Sequence, residues 1–215
     1  MDEKIIQTEY NVSGKSRILR FYESNKKIIY FSLSFVVVFI ISIGIYLNFK
    51  EKNRILLSEN YIQAKVFIEI GEKEKAREVL EKIIKSNDST YSLLSLYLMQ
   101  KQNLILNDQE LSDLYQYLLK EIKFSKEEKD LLIFKKALVD SSLVNEDELI
   151  KSLSSLISSD SVWKPHALLF IGDYFFEKNE FFKAKEFYLK ILNLKNLNDE
   201  IYSEAQSQLS LIAND

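Results

Sequence analysis

A run of twenty residues without a charged side chain constrains this chain more than any other feature of its sequence. The run extends from Ile28 to Leu47 and reads IIYFSLSFVVVFIISIGIYL. As an α-helix rising about 1.5 Å per residue it would span about 30 Å, the thickness of the hydrocarbon core of a bilayer. Tyr30 and Tyr46 lie near its two ends, where aromatic rings favour the headgroup region. The sequence therefore predicts a transmembrane helix over residues 28–47, in contact with the lipid bilayer.

Two alternatives compete with a retained membrane anchor. A buried strand or core helix would need apolar partners on every side, and no other stretch of the chain is comparably apolar. A cleaved signal peptide is suggested by the small residues of Ser42-Ile43-Gly44. The apolar run continues past that triplet, however, and the preceding 27 residues are long for a signal peptide and carry acidic as well as basic side chains. A retained anchor is the favoured interpretation.

The basic residues around the span give its expected orientation. On the N-terminal side they are Lys15, Arg17, Arg20, Lys26 and Lys27, and on the C-terminal side Lys50, Lys52, Arg54 and Lys65. Cytoplasmic flanks carry the excess of lysine and arginine, so this small bias predicts a cytoplasmic tail over residues 1–27. Within that tail, residues 11–15 contain its only glycine and are expected to be flexible. Residues 20–23 begin either an interfacial helix or part of a disordered leader, and both interpretations stay open.

The amino-acid composition excludes several classes of function and favours one class of fold. The net charge of −3 argues against a nucleic-acid-binding protein, which usually has a basic excess. The absence of cysteine excludes disulfides and thiolate metal sites. Only four glycines and one proline are present, which favours long helices joined by polar loops. We therefore expect residues 51–215 to form one all-α domain.

Apolar residues recur at spacings of three and four after the span, as they do on one face of an amphipathic helix. The anchor helix is expected to continue to Gly71, which is placed to terminate it. Further helices are predicted at about 73–86, 90–105, 109–122, 126–140, 146–158, 165–178, 181–193 and 198–212. Short loops between helices of this length imply antiparallel neighbours. The expected arrangement is four helical hairpins followed by a C-terminal helix.

Two of these hairpins share a packing pattern. Small residues recur twelve positions apart in each, as Ala64 and Ala76 in the first hairpin and as Gly172 and Ala184 in the fourth. Two helices approach closely where both carry small side chains, and large apolar residues fill the space around them. The large residues at matching positions include Phe67 in the first hairpin, and Phe175 and Tyr188 in the fourth.

This pattern resembles the tetratricopeptide repeat, in which a small residue of the first helix precedes an alanine of the second by twelve positions. The resemblance implies an all-α tetratricopeptide-like solenoid of hairpins. The middle hairpins, 90–122 and 126–158, are predicted mainly from helical periodicity. The motif's proline after the second helix is absent from both matching hairpins.

The whole layout is similar to the ancillary subunit of the bacterial Sec translocon, a single-anchored periplasmic protein with a tetratricopeptide-like domain. The residues that carry this similarity are the lead-in RFYESNKK (20–27), the uncleaved span, and Gly172-Asp173-Tyr174 with Ala184. The resemblance implies location in the bacterial inner membrane, with the C-terminal domain in the periplasm. It also implies association with the translocon and with a membrane-anchored periplasmic chaperone, and no catalysis.

Residue patterns for catalysis, metals or cofactors are not recognisable. His166 is the only histidine, and no cysteine can join it in a metal site. No phosphate-binding glycine loop or nucleophile elbow is present. We therefore expect no enzyme activity, no cofactor and no metal.

The sites that can be assigned belong to the repeat. Concave grooves of such solenoids are lined by the first helix of each pair. By repeat position, the groove candidates are Tyr61, Lys65, Ile68, His166, Leu169, Asp173 and Phe176. The repeat-packing candidates are Ala64, Phe67, Ala76, Gly172, Phe175, Ala184 and Tyr188. Phe175, Phe176, Phe181 and Phe182 form the densest aromatic cluster of the sequence. Each is expected in the core, although one hairpin cannot bury all four.

Two functions remain as hypotheses. The first is a membrane-anchored, non-enzymatic adaptor that binds partner proteins through a tetratricopeptide-like groove. The second is a cell-envelope or division assembly factor that acts by self-association. Stable oligomers without any partner would favour the second hypothesis.

Overall fold

The computed structural model describes the backbone of residues 3–195 and 197–214, and the side chains of residues 19–195 and 197–213. Within this part of the chain the secondary structure is helical, without strands. The helices are α1 (Glu3–Glu69), α2 (Lys73–Ile84), α3 (Ser89–Lys101), α4 (Asp108–Glu121), α5 (Lys126–Asp140), α6 (Glu146–Ile157), α7 (Lys164–Glu177), α8 (Phe181–Leu192) and α9 (Asp199–Asn214). The prediction of an all-α chain with one long apolar N-terminal helix is confirmed.

The chain divides into two compact units, Met1–Leu56 and Leu57–Asp215. We call them the N-terminal and C-terminal units. Helix α1 contributes residues to both.

The N-terminal unit contains the predicted span. Its helix is long and apolar enough to cross a membrane, and the most apolar part has no buried residues. Phe31 and Ile28, for example, are 77% and 68% exposed. The Ser42 hydroxyl donates to the carbonyl of Val38 (2.8 Å), so its polar atom is satisfied within the helix. The backbone is also helical over residues 11–15, where the sequence predicts flexibility.

Helix boundaries in the C-terminal unit lie close to the predicted ones, with two informative exceptions. Helix α2 is expected to reach residue 86 and α3 to reach residue 105, yet they end at Ile84 and Lys101. At the end of α3 the cause is left-handed backbone at Asn103 (φ 52°), directly after the C-cap residue Gln102. Asn87 is also left-handed (φ 62°) but lies three residues beyond the end of α2. Asparagine tolerates this conformation, which terminates a helix much as glycine does.

Short polar side chains cap the beginnings of four helices in the C-terminal unit. The Ser125 hydroxyl accepts from the backbone N–H of Glu128, and the Glu128 carboxylate accepts from the backbone N–H of Ser125, which completes a capping box. Asn145 caps α6 through its side-chain oxygen, and Asp88 and Asn107 cap α3 and α4 in the same way. Each cap satisfies an N–H group that has no partner inside the helix.

Two hydrophobic cores stabilise the C-terminal unit. The first, which we call the N-terminal core, consists of the buried residues Ala64, Ala76, Leu80, Ile83, Ile84, Leu96, Met99, Leu104, Tyr115, Leu118, Ile122 and Leu132. The second, the C-terminal core, consists of Ala137, Leu149, Leu153, Leu156, Ala167, Leu168, Ile171, Phe175, Ala184, Phe187, Tyr188, Ile191, Ile201 and Ala205. Helix α5 joins the two, because Leu132 belongs to the first core and Ala137 to the second.

The first and fourth hairpins have the same turn. The backbone N–H of Glu72 donates to the carbonyl of Phe67 (2.8 Å), and that of Glu180 donates to the carbonyl of Phe175 (2.9 Å). The residue before each glutamate is left-handed, with φ 82° at Gly71 and 61° at Asn179. Both turns are helix C-caps of the Schellman type.

Ion pairs and cation–π contacts repeat at these turns as well. Lys75 lies 2.8 Å from the Glu72 carboxylate and 5.8 Å from the ring centroid of Phe67. Lys183 lies 2.8 Å from the Glu180 carboxylate and 4.9 Å from the ring centroid of Phe175. The two hairpins, far apart in sequence, therefore share side-chain contacts as well as composition.

Gly172 of α7 leaves room for the ring of Tyr188 on α8. A Cβ atom at this position would lie 2.5 Å from Cε1 and 2.8 Å from Cδ1 of Tyr188. The Tyr188 ring is fully buried, and its hydroxyl donates to Asp173 (2.7 Å). The ring is therefore held on two sides and has little room to move away.

We expect Gly172→Ala to destabilise the chain. Alanine favours a helix over glycine by about 1 kcal/mol, whereas overpacking a core costs about 1–3 kcal/mol. Because the nearest atoms belong to a buried, hydrogen-bonded ring, the clash should dominate and lower the free energy of unfolding by about 1–2 kcal/mol. Urea unfolding of the full chain in detergent, followed by the fluorescence of Trp163, measures this change. Gly44→Ala is the control, because a Cβ added at Gly44 would meet no neighbouring atom within 4 Å. Equal stability of the two variants would contradict the expectation.

Candidate partner-binding surface

Alternate helices of the C-terminal unit meet through aromatic side chains. Tyr61 of α1 lies against Tyr91 of α3, with ring centroids 6.2 Å apart. Lys135 of α5 places its Nζ 5.4 Å from the ring centroid of Tyr97 of α3. Side chains of α3 therefore contact α1 on one side and α5 on the other.

The same contact continues from α5 to the beginning of α7. The Phe134 ring stacks on Trp163 (5.8 Å between centroids) and meets His166 and Phe170 edge-on, each at 6.2 Å. Trp163 and His166 lie 5.1 Å apart. This cluster joins α5 to α7.

We call these side chains the aromatic row, and its members are Tyr61, Tyr91, Tyr97, Phe134, Trp163, His166 and Phe170. His166 is exposed, and the other six side chains are partly buried. Tyr61 and Tyr91 pack against the N-terminal core, and Phe134, Trp163 and Phe170 pack against the C-terminal core, which fixes the rings while part of each side chain stays exposed. Such side chains are typical of protein interfaces, where aromatic residues are enriched.

Burial raises the pKa of three tyrosines in or beneath the row. The Tyr97 hydroxyl is buried and finds no hydrogen-bond partner among the described residues. Burial raises the pKa of Tyr97 and also that of Tyr61. Tyr115, beneath the row in the N-terminal core, donates to the side-chain oxygen of Gln100 (3.1 Å). Burial, followed by the neighbouring Tyr97, raises the pKa of Tyr115 to about 12. These phenols stay protonated at neutral pH and can act as hydrogen-bond donors.

Even-numbered helices meet through ion pairs rather than through rings. Arg77 of α2 contacts Glu110 of α4 (2.5 Å), and Lys183 of α8 contacts Glu146 of α6 (2.8 Å). Both pairs are partly buried. Aromatic contacts thus connect one set of alternate helices, and charged contacts connect members of the other set.

The predicted groove candidates separate into two groups. Tyr61 and His166 belong to the aromatic row, and Lys65 is exposed on α1. Ile68 packs against the N-terminal core, while Leu169 and Phe176 pack against the C-terminal core. These three candidates are therefore partly buried in packing contacts, and so is Tyr61, which packs against the N-terminal core.

Asp173 contacts its own hairpin. Its carboxylate accepts the Tyr188 hydroxyl at 2.7 Å. Burial raises the pKa of Asp173 above its ordinary value, and the Tyr188 hydrogen bond opposes that rise in part. Burial and the Asp173 carboxylate raise the pKa of Tyr188 strongly, so its hydroxyl remains a donor. This contact fixes the ring that packs against Gly172.

Most of the repeat-packing candidates lie in the two hydrophobic cores. Six of the seven are buried, namely Ala64, Ala76, Gly172, Phe175, Ala184 and Tyr188. Phe67 is partly buried and packs against the N-terminal core.

Sequence reasoning missed Tyr91, Tyr97, Phe134, Trp163 and Phe170 as surface candidates. The middle hairpins match the repeat poorly, so no repeat position could be assigned to the residues of α3 and α5. Tyr97 and Phe134 are recognisable in the sequence only as members of periodic apolar runs. Their common surface depends on which helices meet, and periodicity within a helix carries no such information.

A separate cavity of about 430 Å³ lies among the ends of α6, α7 and α8. Its lining combines apolar side chains with Lys164 and Lys190. Lys190 already pairs with Glu186 (2.7 Å) and covers the Phe187 ring (4.5 Å to the centroid). Among the described residues, no group of three or more His, Asp or Glu side chains is arranged to hold a metal ion.

Comparison with known proteins adds no further assignment. No protein-family model, curated protein or solved structure matches this chain.

Proposed function

We propose that this chain is a single-pass, membrane-anchored adaptor without catalytic activity, and that it binds a partner protein through the aromatic row. The observation that carries the proposal is the row itself. Its rings occur on α1, α3 and α5 and at the beginning of α7, and none of these side chains is fully buried. Large, rigid aromatic side chains contribute much contact area at a low entropic cost, which suits them to protein recognition.

The proposed architecture of the C-terminal unit is a tetratricopeptide-like solenoid. In a stack of hairpins, the first helix of each pair contacts the first helix of the next, and second helices contact second helices. The contacts of Tyr61 with Tyr91 and of Phe134 with Phe170 support the first series. The ion pair of Arg77 with Glu110 supports the second. In such a stack the row would line the concave surface.

The long N-terminal helix supports the membrane part of the proposal. Residues 28–47 would cross the bacterial inner membrane, with residues 1–27 in the cytoplasm and the C-terminal unit in the periplasm. An anchor of this kind confines the binding surface to the membrane and raises its effective concentration there. The resemblance carried by residues 20–27 and by the fourth hairpin makes the Sec translocon and a membrane-anchored periplasmic chaperone the proposed partners.

Photo-cross-linking in intact cells tests the proposal. A photoreactive amino acid replaces His166, which is exposed within the row, and in a matched control it replaces Leu106, which is 76% exposed in the loop before α4. We expect one defined polypeptide to cross-link from His166, with a yield at least tenfold above that from Leu106. Mass spectrometry then identifies the product.

Three outcomes would contradict parts of the proposal. Equal yields from both positions would show that the row is not a binding surface. A product containing two copies of this chain would favour a self-associating assembly factor. A partner confined to the cytoplasm would reverse the orientation, and a periplasmic partner unrelated to the translocon would leave an adaptor but reject the Sec assignment.

A further inference from the structure

The outer face of α1 in the C-terminal unit carries a second apolar surface. Ile62 and Val66, together with Ile70 just after the helix, are 58%, 46% and 62% exposed. Ala64, between the first two, is fully buried. At about 100° per residue, positions two before and two after Ala64 lie on the opposite side of the helix. The three exposed residues therefore face away from the N-terminal core, and we call them the outer stripe.

The spacing of the outer stripe suits a helical partner. Its members follow one another at intervals of four residues, which aligns side chains along one face of a helix. Amphipathic helices are recognised through apolar anchors at such intervals. The three branched side chains of the stripe are exposed in the C-terminal unit. Burying them against a partner would favour association, because it removes apolar surface from water.

Two carboxylates accompany the stripe. Glu59 and Glu69 are exposed and lie within about 60° of Ile62 and Val66 around the helix, by the same rotation of about 100° per residue. Neither forms an ion pair with another described residue. Lys65 lies about 60° from Ile62 but about 100° from Val66, at the edge of the surface. The two carboxylates therefore outnumber the single lysine along this face of α1.

The charges distinguish three candidate occupants of the stripe, namely a second copy of this chain, an anionic lipid surface and a helix of another protein. Two copies anchored in one membrane would run parallel, and pairing in register would place Glu59 opposite Glu59 and Glu69 opposite Glu69, which is unfavourable. An anionic lipid surface would repel the same carboxylates. A helix from a different protein fits the apolar stripe with its own apolar face, and basic residues beside that face pair with Glu59 and Glu69.

We propose that the outer stripe binds an amphipathic helix of another protein, which presents apolar residues at four-residue intervals and lysine or arginine opposite Glu59 and Glu69. This surface is distinct from the aromatic row, so the proposal does not depend on what the row binds. It gives the chain a second protein contact, on the opposite side of α1 from the core.

Peptide binding to the full chain in phosphatidylcholine nanodiscs tests this proposal. The probes are two fluorescein-labelled helical peptides with isoleucine at four-residue intervals, flanked by lysine in one and by glutamate in the other. Fluorescence anisotropy should show the lysine peptide binding at least about tenfold more tightly. Ile62→Gln combined with Val66→Gln should weaken that binding about tenfold while leaving every charge in place. Leu106→Gln, at an exposed loop position, should leave it unchanged.

A charge reversal makes the test specific. Glu59→Lys combined with Glu69→Lys should transfer the preference to the glutamate peptide. Equal affinity for the two peptides, or binding that is insensitive to Ile62→Gln and Val66→Gln, would overturn the proposal. So would a dimer in light scattering that these two substitutions abolish, since the occupant would then be a second copy. His166→Ala should leave peptide binding unchanged, which separates this surface from the aromatic row.

Discussion

Phe175→Ala should lower the free energy of unfolding by about 4 kcal/mol, within the range observed for phenylalanine truncation in protein cores. The side chain is 1% exposed, and its ring stacks on Phe187 with centroids 5.8 Å apart. Lys183 lies over the same ring. The substitution removes apolar contacts with both helices of the fourth hairpin and leaves a cavity that the surrounding helices cannot fully close. Urea unfolding of the full chain in detergent, monitored by circular dichroism, measures the loss.

Phe182 provides a matched control in the same hairpin. It is 86% exposed in the first turn of α8. Phe182→Ala should therefore change the free energy of unfolding by less than about 0.5 kcal/mol, as surface substitutions usually do. If both alanine variants were equally stable, the assignment of Phe175 to the core would be wrong.

Lys136→Met should lower the free energy of unfolding by about 3 kcal/mol, because it leaves a buried carboxylate without its cation. Asp140 is 5% exposed, and its carboxylate pairs with Lys136 and accepts the Ser112 hydroxyl. The hydrogen bond from Ser112 connects α4 to α5, and the Lys136 pair lies within α5. Without the lysine, the remaining hydrogen bond from Ser112 (2.5 Å) cannot offset the desolvation of a negative charge. The same unfolding measurement applies.

A second substitution distinguishes charge from packing. Asp140→Asn in the Lys136→Met background removes the charge but keeps an oxygen that can accept from Ser112, so most of the lost stability should return. Lys120→Met is the exposed control, since the pair of Lys120 with Glu121 is largely solvated and such pairs contribute less than about 1 kcal/mol. If the double variant were no more stable than Lys136→Met alone, the unpaired charge would not be the cause.

These two experiments examine different levels of the fold. Phe175 holds one hairpin together within the C-terminal core. Asp140 lies at the end of α5, the helix that joins the two cores, and contacts the preceding helix α4. Removal of the Phe175 ring should unfold the fourth hairpin first. Removal of the lysine that pairs with Asp140 should instead weaken the contact between α4 and α5.

Local features were predictable because they depend on residues close in sequence. The capping box of Ser125 and Glu128 needs only a three-residue spacing, and Gly71 terminates α1 because glycine adopts a left-handed conformation without strain. One exception has the same local origin. Asn103 terminates α3 early, although asparagine signals this conformation less strongly than glycine does.

The four phenylalanines of the fourth hairpin differ in exposure in a way that the sequence does not predict. Phe175 and Phe182 have the same side chain and lie seven residues apart, yet one is buried and the other exposed. Phe176 and Phe181 are partly buried and contact each other, with ring centroids 5.4 Å apart. Composition predicted that one hairpin could not bury all four rings. Only the directions of the helices determine which ring remains outside.

By itself, the sequence determined the apolar length of the N-terminal helix, the helical periodicity and the small residues that let helices approach. These properties follow from side-chain chemistry at fixed short spacings. The tertiary structure decided that Tyr61 meets Tyr91, that Phe134 joins Trp163 and that Ile62 remains uncovered. Each of these depends on the rotation of one helix relative to another. That rotation is fixed by packing between residues far apart in the chain, which local patterns do not encode.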